Sequence, residues 1–291
     1  MIDLSAAFSF IILTYNEEMH LPRLLQSVAD LNAQVFILDS GSTDATIAIA
    51  QQYGAQTAQN PFVNHPQQWD HALKTFPVKT PWVVCLDADQ YASNALFDKL
   101  KNFSPAEYQD INSIYFNRKY VFKGQWIKHG GYFPFYQLKM FRYGVGYSDL
   151  NENMDHRFIV PGKTIVWKDV IIEEENFKEN QISFWLNKHN RFSDLVAQEE
   201  LERMQSTRQQ AVKPAFWGSP DERTAWRKQI WWKLPRYVRP LLYLTQRMIF
   251  QTGFMDGRTG IIFHFLQAFW FRLIVDIKIE ELLKQQTDAK K

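Results

Sequence analysis

The sequence predicts an α/β protein with a mainly parallel sheet that carries helices on both faces, followed by a helical C-terminal region. Three observations support this fold class. Short apolar runs alternate with helical patterns through about the first hundred residues. The runs are apolar at nearly every position, as in strands that are buried on both faces. Each of the main runs ends in a polar cluster, and ligands of such sheets bind at the carboxyl ends of the strands.

Each element in this part of the chain has its own local signal. Runs rich in β-branched and aromatic residues predict strands at 8–13, 35–39 and 82–87, and a short strand is expected near 56–58. Apolar residues at helical spacing predict helices over 21–28, 44–54 and 67–76. Gly54 closes the second of these helices, as glycine commonly does.

The pattern changes at about residue 180. Before it, irregular β-rich runs separated by glycines predict further strands at 114–122, 136–141 and 163–167. After it, the pattern is helical, with prolines as breaks. We therefore expect one domain over 1–180 and a basic, aromatic-rich helical region over 181–291.

Composition limits the kinds of protein that this chain can be. It has 291 residues, of which 46% are hydrophobic, so it can bury a sizeable core. The single cysteine, Cys85, excludes an intrachain disulfide and a cysteine-based zinc cluster. The N-terminus lacks the basic and apolar regions of a signal peptide. We therefore expect a cytoplasmic protein.

Positive charge is concentrated in the segment 203–247. This segment carries ten Lys/Arg and two Asp/Glu, a local charge of +8 in a chain whose net charge is +2. Such asymmetry predicts an anionic partner. Tryptophan and tyrosine accompany the basic residues in 217–240, which favours an anionic membrane surface, and no nucleic-acid-binding motif is present. The alternative is a helical subdomain that only packs on the first domain.

The longest apolar stretch, 261–279, is interrupted by five polar or charged side chains (His264, Gln267, Arg272, Asp276 and Lys278). A membrane-spanning helix needs about 20 residues with few or no charges. We therefore expect this stretch to be packed or interfacial, not transmembrane, and both alternatives remain open.

The polar cluster 14-TYNEE-18 has two interpretations. Thr14 or Asn16 can cap the following helix, with acidic residues in its first turn. Alternatively, Tyr15 can stack on a base, while Asn16 and Glu17 can hydrogen-bond to that base or to a ribose. This cluster alone does not decide between them.

The second cluster, 35-VFILDSGSTD-44, places Asp39 at the end of a strand. Ser42 and Asp44 can simply start the next helix. Asp39 is harder to explain structurally, since a carboxylate at this edge of a sheet commonly accepts hydrogen bonds from a ribose or a base. Neither a GxGxxG sequence nor a Walker loop is present, which argues against a dehydrogenase or a P-loop enzyme.

The third cluster, 82-WVVCLDADQY-91, ends a strand with Asp87 and Asp89. Two carboxylates this close repel each other unless something neutralises them. A hard divalent cation such as Mg²⁺ or Mn²⁺ prefers oxygen ligands and keeps positions open for phosphate oxygens. The alternative is a solvated turn, because a single D-x-D sequence is common by chance.

The three clusters together resemble family 2 glycosyltransferases with the GT-A fold. The resemblance is specific because FIILTYNEE, ILDSGSTDAT and VVCLDADQ occur in this order and spacing. It implies that residues 1–100 bind a nucleotide-sugar and 101–180 the acceptor. It also implies that Asp87 and Asp89 hold the donor diphosphate, Asp89 through a divalent cation. The residues assigned to donor binding are Thr14, Tyr15, Asn16, Glu17, Asp39, Ser42, Asp70 and Asp87.

Later segments resemble a subgroup that builds lipopolysaccharide core or exopolysaccharide. These segments are 126–142, 151–156, 188–192 and 253–278. The resemblance implies transfer with inversion, which needs a general base for the acceptor hydroxyl. Within 149-DLNENMDH-156, Glu152 is the first candidate for this base, and Asp149 and Asp155 are the runners-up. A solvated loop acid is the alternative for Glu152.

Three positions depart from the family pattern. Asp70 stands where relatives often carry an amide, which puts donor contacts there in doubt. Lys139 stands where relatives often carry arginine, and a bidentate phosphate clamp would be weaker with lysine. Gln90 stands where relatives often carry an acid.

The resulting hypothesis is a metal-assisted inverting glycosyltransferase at the cytoplasmic face of a bacterial inner membrane. The expected donor is a UDP-sugar, and the expected acceptor is lipid-linked or of lipopolysaccharide or exopolysaccharide type. A sugar nucleotidyltransferase is one alternative, although the basic, glycine-rich loop that it normally needs is missing. A non-catalytic nucleotide-binding relative of the fold is the other.

Overall fold

The computed structural model describes residues 6–151, 156–205 and 212–289. The chain divides into two compact units. The sheet unit comprises the described residues of 1–121, 134–150 and 155–177, and the helical unit comprises those of 122–133, 151–154 and 178–291. The segment 122–133 thus belongs to the helical unit, although it lies inside the first predicted domain. The domain boundary near residue 180 stays a prediction.

A mixed β-sheet forms the centre of the sheet unit. Its strands are β1 Phe8–Thr14, β2 Gln34–Asp39, β3 Gln56–Gln59, β4 Trp82–Asp87, β5 Gln90–Ala92, β6 Ile111–Phe122, β8 Tyr136–Arg142 and β11 Lys163–Glu175. Their spatial order is β3-β2-β1-β4-β8-β6-β11-β5. The short strands β9 Tyr147–Ser148 and β10 Phe158–Ile159 form a separate antiparallel pair, and β7 Gln125–Trp126 lies in the helical unit.

The first half of the sheet is parallel and the second half is mixed. Strands β3, β2, β1 and β4 pair in parallel. Strand β8 then runs antiparallel to both β4 and β6, β11 runs parallel to β6, and β5 runs antiparallel to β11. The α/β fold class with a C-terminal helical region is confirmed. The purely parallel arrangement is limited to the strands with helical crossovers, which put neighbouring strands in the same direction.

Helices cover both faces of the parallel half. They are α1 Leu21–Val28, α2 Thr46–Gln52, α3 His65–Thr75 and α4 Asn94–Lys101. Successive side chains of a strand point to opposite faces, so β1, which is buried at every position, supplies both cores. Phe10 and Ile12 pack in the core that includes Leu24 of α1, whereas Ile11 packs in the core that includes Trp69 of α3.

Strand β5 and helix α4 are among the elements that were not predicted from the sequence. Strand β5 has only three residues and therefore shows no periodicity. Helix α4 begins where the Ser93 side chain accepts a hydrogen bond from the Leu96 N–H, at 3.3 Å. Leu96 and Leu100, one turn apart, are its buried residues, which is too short a pattern to identify a helix by itself.

The helical unit contains five α-helices among its described residues. These are α5 Ile182–Gln205, α6 Pro220–Lys233, α7 Arg239–Thr245, α8 Gly257–His264 and α9 Phe271–Asp288. A π-helical segment, Gln246–Phe250, follows α7, and another, Phe265–Trp270, joins α8 to α9. Helix α6 begins with a reciprocal capping box between Ser219 and Glu222. Helix α5 packs on α9 through apolar residues that include Ala197 and Val275.

A buried ionic group links three helices of this unit. Arg239 at the start of α7 donates from Nε to Asp276 Oδ1 of α9, at 2.8 Å, and from Nη2 to Glu200 Oε2 of α5, also at 2.8 Å. The backbone N–H of Tyr237 donates to the other oxygen of Asp276, at 2.8 Å. All three charged side chains are buried. They offset the cost of one another's desolvation, and a change at any one would leave an unpaired charge inside the unit.

One helical stretch, Gly253–Asp288, is long and apolar enough to cross a membrane by length and composition alone. It contains 261–279, which the sequence predicts to be packed or interfacial. Phe263, Phe271 and Val275 within it are buried among other residues of the helical unit. One side of the stretch is therefore packed in the protein.

Candidate functional site

The three polar clusters meet at one edge of the sheet. In the parallel register, Thr14 of β1 lies opposite Asp39 of β2, and Leu13 lies opposite Asp87 of β4. The last residues of these three strands are therefore neighbours. Distant parts of the sequence reach the same edge because parallel strands all end on the same side of a sheet.

Asp39 is fully buried, and both of its carboxylate oxygens accept hydrogen bonds. Oδ1 accepts from the Thr14 hydroxyl at 2.9 Å and from the Ser42 hydroxyl at 2.5 Å. Oδ2 accepts from the backbone N–H groups of Gly41 and Ser42, at 2.8 and 2.7 Å. Four donors match the roughly four lone-pair sites of a carboxylate. Asp39 thus shapes the turn after β2, and its predicted contact with a donor stays a prediction.

The loop after β1 is tied to that same turn. The backbone N–H of Asn16 donates to Ser42 Oγ at 2.7 Å, and the Asn16 side chain accepts from the Thr43 N–H at 2.8 Å. Asn16 has a left-handed backbone, with φ of 53°, which asparagine tolerates better than most residues. The Glu17 N–H donates to Thr46 Oγ1 at 2.7 Å. These bonds use the backbone groups of the loop and leave Tyr15 with an exposed side chain.

Asp87 forms an ion pair with Lys139 of β8. The Asp87 Oδ2 to Lys139 Nζ distance is 2.8 Å, and Lys139 is buried. Burial alone would raise the pKa of Asp87, but the Lys139 charge and hydrogen bond outweigh it, and His65 and His156 act in the same direction, so the pKa falls to about 2. Asp87 therefore keeps its negative charge at neutral pH without any metal ion.

Gln90 fixes the turn that carries both aspartates. Its Oε1 accepts from the Asp87 N–H at 3.1 Å, and its Nε2 donates to Glu174 Oε2 at 2.7 Å. An amide can accept and donate at once, which an ionised acid at this position cannot do. These two hydrogen bonds give a structural reason for glutamine at position 90, where relatives often carry an acid. Glu174 in turn pairs with Arg118, at 3.1 Å.

Asp89 lies on the far side of this turn. Its side-chain Oδ2 accepts from the Asn176 amide at 3.1 Å, and its carbonyl oxygen accepts from the Glu175 N–H at 3.1 Å. The turn thus holds Asp89 against the end of β11. The described residues contain no group of three His, Cys, Asp or Glu side chains that could hold a metal ion. Asp87 and Asp89 offer hard carboxylate oxygens, which suit Mg²⁺ or Mn²⁺ if further ligands come from a substrate.

His156 and His65 are site residues that the sequence analysis missed. Both influence the charge of Asp87. The His156 ring stacks on Trp69, with ring centroids 5.3 Å apart, and its Nε2 is buried without a hydrogen-bond partner. Burial and the nearby Lys139 hold the pKa of His156 well below its ordinary value, so the ring is neutral at pH 7. The sequence signal for His156 was its position in 151–156, one of the segments that resemble the family subgroup.

Cys85 and Asp70 contribute differently from the strand-end residues. Burial raises the pKa of the Cys85 thiol far above its ordinary value, so this thiol is inert at neutral pH. Asp70 lies on α3 and pairs with Lys74 one turn later, at 2.7 Å. Among the described residues, Asp70 makes no hydrogen bond to Asp39, Asp87 or Asp89, and its donor role stays a prediction.

The predicted base candidates are described only in part. Asp149 is buried, and its N–H donates to the Arg157 carbonyl oxygen at 3.0 Å. Glu152 and Asp155 lie outside the described residues. The choice of Glu152 as the base stays a prediction.

Comparisons with known proteins agree on one family. The sequence profile described as Glycosyl transferase family 2 matches residues 9–165, which is more than half of the chain. An uncharacterized glycosyltransferase of Rickettsia conorii is 32% identical over 108 residues, which cover 37% of this chain and 38% of that protein. The chain therefore matches little more than a third of the length of this relative.

Two further comparisons extend over most of the chain. The lipopolysaccharide core biosynthesis glycosyltransferase LpsC of Rhizobium meliloti is 25% identical over 285 residues, covering 89% of this chain and 90% of LpsC. The mannosyltransferase PcManGT of Pyrobaculum calidifontis, solved with GDP-Man and Mn²⁺, has a TM-score of 0.52 and 12% identity, covering 94% of this chain and 86% of that one. At this identity, the second match shows a shared fold.

The ion pair of Asp87 predicts a specific acid titration. In the folded protein the pKa of Asp87 is about 2, below the ordinary 3.8, so the pair stabilises the fold above pH 3.8 and this contribution is lost as pH falls to about 2. In Lys139→Met, burial acts without a counter-charge, and we expect the Asp87 pKa to rise above 3.8. Carbon NMR of the Asp87 carboxyl group against pH measures this midpoint.

Lys74→Met is the matched control, since it removes a lysine that is paired with a different aspartate. We expect it to leave the Asp87 midpoint near 2. An unchanged midpoint in Lys139→Met would show that Lys139 does not hold the charge of Asp87.

Proposed function

Because the chain belongs to glycosyl transferase family 2, we propose that it is an inverting transferase that moves a sugar from a nucleotide-sugar to a lipid-linked, lipopolysaccharide or exopolysaccharide acceptor. The observation that carries this proposal is the meeting of three strand-end clusters at one edge, with Asp87 at the end of β4 and Asp89 on the turn that follows. A carboxylate pair at such an edge suits a diphosphate bound with a cation. The proposed donor is a UDP-sugar.

The donor pocket is proposed to lie along the ends of β1 and β2. Tyr15 has the exposed ring that can stack on a nucleobase, and Glu17 follows it in the same loop. Asp39 would act here by holding Ser42 and the turn in place, because its own oxygens are already hydrogen-bonded. PcManGT, which shares the fold, was solved with GDP-Man and Mn²⁺.

A divalent cation is proposed at Asp89, with Asp87 beside it. The donor set fits, since carboxylate oxygens are the preferred ligands of Mg²⁺ and Mn²⁺. Asp87 is already paired with Lys139, and the family resemblance assigns the cation to Asp89. When bound, such an ion supplies positive charge that offsets the charge developing on the leaving diphosphate. Lys139, which is paired with Asp87, would add positive charge at the same end of the site.

The proposed reaction is a single displacement. The acceptor oxygen attacks the anomeric carbon while the bond from that carbon to the diphosphate oxygen breaks. The acceptor proton passes to a carboxylate base, and the nucleoside diphosphate leaves. Glu152 is the proposed base, with Asp149 and Asp155 as alternatives. His156 would remain neutral beside the site and would therefore add no positive charge there.

The acceptor class and the location rest on separate observations. LpsC, which matches nearly the whole chain, is a lipopolysaccharide core biosynthesis enzyme by its name. The helical unit exposes large apolar side chains in and after the basic segment, among them Leu241, Ile249, Phe250 and Phe254. Apolar side chains beside basic residues suit the surface of an anionic membrane. We propose peripheral binding at the cytoplasmic face of the membrane.

Asp89→Asn tests the proposed metal-assisted transfer. The change keeps the size of the side chain and its contact to Asn176 but removes the negative charge. We expect Mn²⁺-dependent release of nucleoside diphosphate to fall at least about 100-fold, the scale for loss of one preorganised electrostatic group. The assay uses the nucleotide-sugar that gives the largest thermal stabilisation with Mn²⁺. Asp98→Asn, an exposed change on α4, serves as the control. Near-normal turnover in Asp89→Asn would contradict the proposal, as would release of pyrophosphate.

Glu152→Gln tests the assignment of the base. We expect donor binding to stay intact while turnover falls about 100- to 10,000-fold, the usual contribution of a general base. Isothermal calorimetry gives donor binding, and product release gives turnover. Asp149→Asn and Asp155→Asn are measured in parallel. If one of these lowers turnover and Glu152→Gln does not, the base is that residue.

Membrane binding by the basic segment predicts a dependence on lipid charge. We expect the protein to float with vesicles that contain anionic lipid and to be released by salt, because screening weakens the attraction. Replacing Lys233 and Arg236 with glutamine should reduce flotation, whereas the same change at Lys99 and Lys101 of the sheet unit should not. Flotation that is independent of anionic lipid and of salt would refute this part of the proposal.

A further inference from the structure

Arg247 of the helical unit is enclosed by aromatic rings. Its guanidinium carbon lies 4.5 Å from the ring centroid of Tyr243 and 4.6 Å from that of Tyr132. Its Nη2 donates a hydrogen bond to the Tyr243 hydroxyl. Arg272 approaches the same tyrosine, with its guanidinium carbon 5.9 Å from the Tyr243 ring. Two cationic groups thus converge on one phenol.

Several donors of these arginines have no acceptor. Nε and Nη1 of Arg247 and Nε of Arg272 are buried without a hydrogen-bond partner. Among the described residues, neither arginine has a carboxylate within ion-pair distance. Arg239, in the same unit, is paired with both Glu200 and Asp276. Buried charged donors without acceptors are costly, so their presence indicates a group that binds there.

The electrostatic environment of Tyr243 agrees with this view. Burial would raise the pKa of Tyr243, but Arg247, Arg272 and Arg227 outweigh burial and lower the pKa below its ordinary value. A phenol that ionises more easily in a buried place lies in a strongly positive potential. The same potential attracts any small anion that can reach the arginines.

The backbone around these residues is also irregular. Arg247 lies in the π-helical segment Gln246–Phe250, and Arg272 follows the π-helical segment Phe265–Trp270 by two residues. π-Helical turns are rare and are frequently found at functional sites, since they cost regular hydrogen bonding. Arg247 thus lies within one irregular segment, and Arg272 lies in the first turn of α9, directly after the other.

We propose that the helical unit binds a phosphate-type anion through Arg247 and Arg272, with the Tyr243 hydroxyl as a third contact. A phosphate presents several charged oxygens, and a guanidinium group can donate two parallel hydrogen bonds to them. Such a ligand supplies acceptors for the unpaired donors and compensates the local positive charge. The inference goes beyond the transferase proposal and does not depend on it, because the site is separate in the sequence from the strand-end clusters.

The phosphate can come from a lipid or from solution, and the recognition chemistry is the same. The residues that follow Arg247 favour contact with an amphiphile. Ile249 and Phe250 are 62% and 79% exposed, although both are large and apolar. A phosphate attached to a hydrocarbon chain would contact the arginines and these side chains together, which inorganic phosphate cannot do.

The test measures binding to the full-length protein without donor or metal. Inorganic phosphate and dihexanoyl phosphatidic acid, below its micelle concentration, are titrated by calorimetry. Dihexanoyl glycerol is the probe without phosphate. We expect one phosphate-type ligand per chain, and we expect Arg247→Gln and Arg272→Gln each to weaken it at least about tenfold, the scale for a charge-assisted hydrogen bond. Tighter binding of phosphatidic acid identifies a lipid phosphate, and equal binding identifies phosphate from solution.

Arg236→Gln is the matched control, since it removes one exposed arginine from the same basic segment. It should bind both probes as the wild type does, even if it weakens attachment to vesicles. Loss of binding to the same degree in this control would show diffuse attraction and overturn the inference. Absence of binding in the wild type, or equal binding in the wild type and Arg247→Gln, would overturn it as well.

Two milder variants keep the test decisive if Arg247→Gln does not fold. Arg247→Lys keeps the charge but loses the planar fork, and Tyr243→Phe keeps the ring but loses the hydroxyl. Both should weaken binding of phosphate. Ultraviolet titration gives a second readout, because bound anion should raise the pH at which one tyrosine ionises in the wild type and not in Tyr243→Phe. If phosphate leaves the tyrosine titration of the wild type unchanged, Tyr243 does not face the anion.

Discussion

The buried carboxylate of Asp39 is the constraint on which the edge of the sheet depends. It accepts two hydroxyl and two backbone hydrogen bonds, so replacing it with alanine would leave four donors without this acceptor. Through Ser42, the same turn positions the backbone of Asn16. The loops after β1 and β2 therefore form one connected structure. A ligand at this edge meets a surface that is already organised before binding.

The turn after β4 solves a different electrostatic problem. Its two aspartates would repel each other, and the fold treats them unequally. Asp87 is paired with the buried Lys139, whereas a neutral amide, Asn176, contacts Asp89. Lysine at position 139 acts as a compact charge rather than a planar clamp, which suits an ion pair with one carboxylate oxygen. The departure from arginine at this position is thus compatible with an intact site.

The helical unit contains one buried arginine and two partly buried ones in contrasting states. Arg239 joins α5, α7 and α9 because Glu200 and Asp276 complete its hydrogen bonds, so its function is accounted for by packing. Arg247 and Arg272 are stabilised by stacking on aromatic rings but keep unpaired donors. Stacking on a ring does not supply a hydrogen-bond acceptor for the N–H groups of a guanidinium. A buried charged donor still needs such an acceptor. This difference separates a structural arginine from one that is available to a ligand.

The sequence by itself determined the fold class, because apolar runs such as 8–13 and 82–87 have the length and composition of strands buried on both faces. It also identified Asp87 and Asp89 as strand-end acids. Only the tertiary structure decided what these residues contact. Lys139 and His156 reach the site from elsewhere in the chain, and Gln90 bridges Asp87 to the distant Glu174. The arginines at 247 and 272 converge on Tyr243 from within and directly after two irregular helical segments. Periodicity reports which face of an element is buried, but partners that are distant in sequence depend on register, crossover and packing, which no local pattern contains.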